Sequence, residues 1–199
     1  MNVVGLLLVF VAAAGAGAQP LDAALAAYDA KDYAAALKML APLAEQGDAI
    51  AQVNLAYMVY SGKGTPADAA AAAKWYRLAA ERGDAYAQYS LGVMYENGKG
   101  VPQSLQEAVK WWRLSARQGY ADAQYNLGAM YYNGRGVAKD YVRAYLWKSL
   151  AAAGTLTTVP QRKARTGRDA VGAVMSQAQL AQARELIAQC SAGNLKECD

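Results

Sequence analysis

The chain has 199 residues and a formal net charge of +4, enough length for one domain with a real core and too mild a charge to argue for nucleic acid. It contains no His and only two Cys, so the commonest general base is missing and a metal site would lack ligands. Abundant alanine, one Phe and five Pro favour helix throughout.

Residues 1–18 differ in kind from the rest. Gly5 to Ala14 is an uncharged apolar run, followed by the small-x-small pattern Ala16-Gly17-Ala18. This reads as a secretory signal peptide cleaved after Ala18, although no Lys or Arg precedes the run. An uncleaved N-terminal anchor is the alternative. The run is too short to span a bilayer, so no membrane insertion is expected once it is removed.

A helical pair follows, Leu21 to Asp29 and Tyr33 to Gln46, broken at Lys31-Asp32. Pro42 inside the second helix is expected to bend it. The pair, residues 19–46, reads as an N-terminal cap or a degenerate first repeat.

Residues 47–154 are three copies of a 36-residue unit, opening at Gly47, Gly83 and Gly119. A fixed period of this length marks a stacked-repeat architecture. The columns are Gln52/Gln88/Gln124, Leu55/Leu91/Leu127, Met58/Met94/Met130 and Trp75/Trp111/Trp147. Each unit carries a two-glycine loop: Gly62/Gly64, Gly98/Gly100 and Gly134/Gly136. Helix A should start after the opening glycine, with Asp48 and Asp84 as N-caps; Tyr120 takes that place in the third copy. It should end at Ser61, Asn97 and Asn133, where glycine permits positive φ. Helix B then carries the tryptophan. The glycine loops are not phosphate cradles, because a helix rather than a strand precedes each one.

Residues 155–199 break the period. Thr155 to Pro160 reads as a loop, and Arg162 to Met175 and Gln177 to Ser191 as two capping helices, with Ser176 an N-cap between them. Cys190 and Cys198 suggest a disulfide staple at the end of the cap, stabilising it by roughly 2–3 kcal/mol in the chain-entropy model. The basic cluster Arg162, Lys163, Arg165 and Arg168 reads either as a solvated helix face or as a dock for an acidic partner.

The pattern G-D-A-x-A-Q-x-x-L-G-x-M-Y-x-x-G-x-G-V, followed by A-x-x-W-x-x-x-A, resembles the Sel-one-like repeat, a relative of the tetratricopeptide repeat. Residues 83–118 match best. The first copy departs at Ala56, Val59 and Thr65, and the third at Tyr120 and Ala138. The stretch RDAVGAVMSQAQLAQARELIAQC resembles the closing helices of bacterial exported members. The resemblance implies an all-α, right-handed superhelical solenoid of helix-turn-helix repeats that binds other proteins. No cofactor is expected. The cysteine-rich relatives linked to cell-wall-like compounds are not matched, because the repeats here lack cysteines.

Helix A offers two faces. Ala51, Leu55, Met58 and Val59, with their equivalents, form the core stripe. The other face carries Tyr57, Tyr60, Tyr86, Tyr89, Glu96, Asp122, Tyr125 and Tyr132. In the tetratricopeptide relatives the equivalent helix lines the concave groove, and tyrosine is enriched where proteins bind proteins. These eight are the candidate partner-binding residues, with inter-repeat filler as the competing account of the tyrosines. The tryptophan column reads as packing. Trp112, whose column holds Tyr76 and Lys148, escapes that constraint and is a candidate for exposure.

The expected function is that of a non-enzymatic, periplasmic or secreted monomer binding a protein partner, either a secreted effector that it neutralises or an envelope protein that it regulates. No catalytic residue is assigned. The competing reading is a protein that binds or hydrolyses cell-wall or β-lactam-like compounds.

Overall fold

A computed structural model describes residues 20–155, 161–191, 195 and 198. The expected signal segment, and most of the loop expected at 155–160, lie outside the described residues. Helix α1 covers residues 20–29. It is followed by α2 (Tyr33–Glu45), α3 (Ala49–Ser61), α4 (Ala69–Glu81), α5 (Ala85–Asn97), α6 (Leu105–Ala116), α7 (Ala121–Asn133), α8 (Tyr141–Ala153), α9 (Gln161–Gly172) and α10 (Gln177–Ser191). Among the described residues there is no strand. The architecture is an all-α run of helix–turn–helix units.

The helix A starts follow from side-chain capping. Asp48 accepts from the Ala51 amide at 2.8 Å, and Asp84 from the Ala87 amide at 2.7 Å. Each contact satisfies one of the amides a helix start leaves free. Tyr120 occupies the third position and makes no such bond. Asp68, Ser104 and Asp140 do the same for the helix B starts, at 2.9, 3.2 and 2.9 Å. That 36-residue spacing was present in the sequence and is an element the sequence reading left out. Ser176 caps α10 reciprocally: its hydroxyl accepts from the Gln179 amide, and its own amide donates to the Gln179 side chain, the capping-box arrangement. Pro42 lies inside α2 without ending it.

The two glycines of each loop have different jobs. Gly134 closes α7 in the left-handed region at φ 67°. Gly136, also left-handed at φ 68°, permits close approach as well: a Cβ there would lie 2.5 Å from the Leu105 carbonyl oxygen, at the start of α6.

The described residues divide into two compact units at Ala79/Ala80, within α4. In the first unit, Ala24, Ala36, Leu40, Ala44, Ala51, Leu55 and Met58 form a buried cluster, with Trp75 packed against it. In the second, Leu91, Trp111, Trp112, Leu127, Leu146 and Trp147 are buried, α5 pairs with α6 and α7 with α8, and α9 and α10 cover α8. The glutamine column docks each helix A. The Gln52, Gln88 and Gln124 side-chain amides donate to the Ala44, Ala80 and Ala116 carbonyls at 3.0, 3.0 and 3.1 Å. Each is a second bond to a carbonyl that already accepts from the Gly47, Gly83 or Gly119 amide, and contributes about 1 kcal/mol net.

Trp112 overturns the expectation of exposure: it is 0% exposed. The reason is the glycine opposite. A Cβ at Gly92 would sit 2.5 Å from the Trp112 Nε1, so the missing side chain is the slot that the indole fills. Its N–H donates to the Tyr89 carbonyl at 3.2 Å.

Candidate functional site

The eight residues assigned to the binding face do not behave alike. Tyr57 and Tyr86 are exposed, at 36% and 37%. Tyr60, Tyr89, Glu96, Tyr125 and Tyr132 are half-buried. Asp122 does not join the face, being 1% exposed. It sits in the first turn of α7, where the helix field favours a carboxylate and where the N-cap residue, Tyr120, does not cap the helix with its side chain.

Most of the tyrosines lean on further rings that the repeat columns did not single out. In the second unit, Tyr120 takes Tyr89 at 5.1 Å and Tyr86 at 6.3 Å between ring centroids. Tyr132 meets Tyr141 at 5.6 Å. Such pairs are worth about 0.5–1.5 kcal/mol beyond area burial, so these side chains support packing as well as offering a surface. Tyr120 and Tyr141 were missed because neither lies on the helix A positions compared across copies.

Glu96 is committed to an ion pair with Arg135, at 3.7 Å. The two residues, with Trp112, Asn126 and Asn133, line a small open cleft of about 50 Å³. The pair is partly exposed, a class that contributes about 0–1 kcal/mol.

The first unit holds a different cluster. The Lys63 ammonium, from the glycine loop, lies 4.7, 5.4 and 4.8 Å from the ring centroids of Tyr28, Tyr33 and Tyr57. It donates to the Tyr28 hydroxyl at 2.5 Å. That bond favours the charged form and pushes Lys63 above the usual lysine range. Tyr57 is therefore one wall of a cage already occupied by the chain's own cation, a cation–π arrangement. A Cβ at Gly64 would fall 2.8 Å from the Tyr33 backbone, so the loop is seated against the start of α2.

In the second unit the counterpart is Lys148. It is 6% exposed, and its Nζ stands 4.0 Å over the Tyr125 ring. Burial, reinforced by Lys163, lowers its pKa to about 8. At the chain end, Cys190 and Cys198 lie within bonding reach, with Cα atoms 5.7 Å apart, a separation disulfides adopt. No described helix is long and apolar enough to cross a membrane.

Repeated capping, the glutamine docking bonds and the glycine-loop geometry all recur at one period, and a family model for the Sel1 repeat matches at residues 29–48, 49–84, 85–120 and 121–155. The chain belongs to the Sel1 repeat family. Among solved structures, this Sel1 repeat protein is similar to a protective antigen present in uropathogenic Escherichia coli strains, which displays an SLR fold. The identity is 34% and the TM-score 0.71, over 82% of this chain and 34% of that one. The chain thus spans about a third of that relative's length. It is also similar to a Sel1 repeat protein from Oxalobacter formigenes, at 28% identity and TM-score 0.65, over 85% of this chain and 75% of that one. No curated protein matches it. The neighbours place the helix–turn–helix run in the solenoid class. Sel1 repeats generally mediate protein–protein interaction, and their solenoid is typically a non-catalytic scaffold.

Proposed function

We propose that this chain is a non-enzymatic interaction module that holds a protein partner on the helix A faces of its repeats. The observation that carries the reading is the tyrosine row of the second unit. Tyr86 is exposed, and Tyr86 and Tyr89 are both braced by Tyr120. Rings held in place by other rings lose little freedom on binding, which is what makes tyrosine an effective contact residue. The exposed Ile50 and Tyr57 of α3 offer the first unit a comparable surface.

An exported location supports the same reading. The apolar run before Ala16-Gly17-Ala18 fits a signal peptide, and a cysteine pair within bonding reach suits an oxidising compartment. The partner is then a secreted effector that the chain neutralises or an envelope protein that it regulates.

The test is partner capture by the tagged chain from an envelope extract, read by quantitative mass spectrometry. Tyr86→Ala, and Tyr86→Ala with Tyr89→Ala, should cut recovery of the partner by about tenfold or more while the helical circular dichroism stays unchanged. Equal recovery by folded variants would remove the helix A face from the reading.

A further inference from the structure

The second and third repeats fill one buried slot with opposite chemistry. In the second, Trp112 occupies the space left by Gly92. In the third, Lys148 occupies the space left by Gly128, where a Cβ would lie 2.7 Å from the lysine Cγ. The indole has one donor, and it is satisfied by the Tyr89 carbonyl. An ammonium brings three donors and a full charge.

The surroundings of that charge are one-sided. From α7, the Tyr125 ring lies beneath it at 4.0 Å. From α9, Gly167 comes close, since a Cβ there would sit 3.3 Å from the Lys148 Nζ. The charged group that acts on it from α9 is Lys163, of the same sign, and together with burial it lowers the lysine's pKa. Arg162 and Arg165 on α9 are exposed, while Arg168 is tied to Asp169 at 2.7 Å. The α10 residues Arg184 and Glu185 are exposed and are not among the groups that shift it. Among the described residues, the charged end of this largely buried side chain meets a ring and is opposed by a second cation, an incomplete arrangement, because buried charges are normally paired.

We propose that Lys148, Tyr125 and Lys163 form a carboxylate subsite of the partner-binding face, filled by an Asp or Glu side chain from an acidic segment of the protein partner. This rests on the helix A reading above and gives the partner a chemistry. The exposed Arg162 and Arg165 beside Lys163 extend positive charge along α9, which suits a run of acidic side chains better than a single chain terminus. A carboxylate entering here gains charge-assisted hydrogen bonds from the ammonium and relieves the repulsion between the two lysines.

Fluorescence anisotropy of the full chain with a labelled hexaglutamate peptide at low salt tests the subsite, with hexaglutamine as the neutral probe. Hexaglutamate should bind and hexaglutamine should not. Lys148→Met and Lys163→Gln should each weaken hexaglutamate binding by about tenfold, while Lys74→Gln, a change at an exposed lysine of the first unit, should alter it less than about twofold. Binding to the natural chain should fall as pH passes about 8, and that step should be missing in Lys148→Met. Unchanged binding by Lys148→Met, an unchanged pH step, or an equal loss in Lys74→Gln would each overturn the subsite. The two failures are separable. If Lys148→Met leaves hexaglutamate binding intact while Tyr86→Ala abolishes partner capture, the subsite alone is lost. If Tyr86→Ala leaves capture intact, the face itself is lost.

Discussion

The second and third repeats lie in one unit, share one period, and differ where it matters. The second is built for stability: a capped helix A start at Asp84 and a buried indole with its donor satisfied at Trp112. The third gives up both. Its N-cap position holds Tyr120, whose side chain does not cap the helix, and its slot holds the cation Lys148. The exchange is consistent. Each replacement removes a packing or capping gain and adds a ring or a charge; under the proposed function this is the usual tension between stability and function.

The slot is the place to break this comparison. Trp112→Ala removes a fully buried indole, leaves a cavity against Gly92, and loses the bond from the indole to the Tyr89 carbonyl. It should destabilise the chain by about 3–5 kcal/mol in urea denaturation. A loss below about 1 kcal/mol would mean that the Gly92 slot is not a structural site at all, and the contrast with Gly128 would lose its basis.

Lys148→Met in the homologous slot should act in the opposite direction. The folded chain holds this lysine at a pKa of about 8, below its ordinary 10.5. Between those values the unfolded chain binds more protons than the folded one. Its contribution therefore opposes folding fully below about pH 8 and is relieved as pH rises toward 10.5. Methionine keeps the stem's volume without the charge, so it should stabilise by about 1–3 kcal/mol at pH 7. The gain should shrink steadily above pH 8 in thermal melts. A variant that is less stable at pH 7 would show that the ammonium is paired after all.

Part of this was legible from sequence. The period placed the starts and ends of α3, α5 and α7, the glycine loops and the buried leucine and methionine columns, because those depend on backbone geometry that repeats. The slot was not legible by reading one column. The column of Tyr76, Trp112 and Lys148 varies in composition, which by itself implies freedom from the repeat. Its size is set instead by the residue opposite, Gly92 for Trp112 and Gly128 for Lys148, and only reading the two columns together reveals a packed pair. The Lys63 cage was hidden for another reason. Two of its three rings, Tyr28 and Tyr33, come from α1 and α2, outside the three copies being compared. Asp122 was misplaced because its column mates Ile50 and Tyr86 are exposed, whereas the third copy buries this position.

The smallest expected effect concerns that missing cap, and it tests whether Tyr120 is there for the rings. Tyr120→Asp recreates the residue found at Asp48 and Asp84, and should recover about 0.5–2 kcal/mol from capping α7. It also removes the ring that braces Tyr86 and Tyr89, at a cost of about 0.5–1.5 kcal/mol per pair. The two terms nearly cancel, so stability should change by less than about 1 kcal/mol in either direction. Partner capture should still fall, because Tyr86 and Tyr89 lose their support and must be ordered on binding. Tyr120→Phe separates the two roles: it keeps the ring without adding a cap, and should retain the capture that Tyr120→Asp loses. Should Tyr120→Asp raise stability and leave capture intact, the ring stack would be mere filling, and the third repeat would have surrendered its cap for nothing that the second repeat lacks.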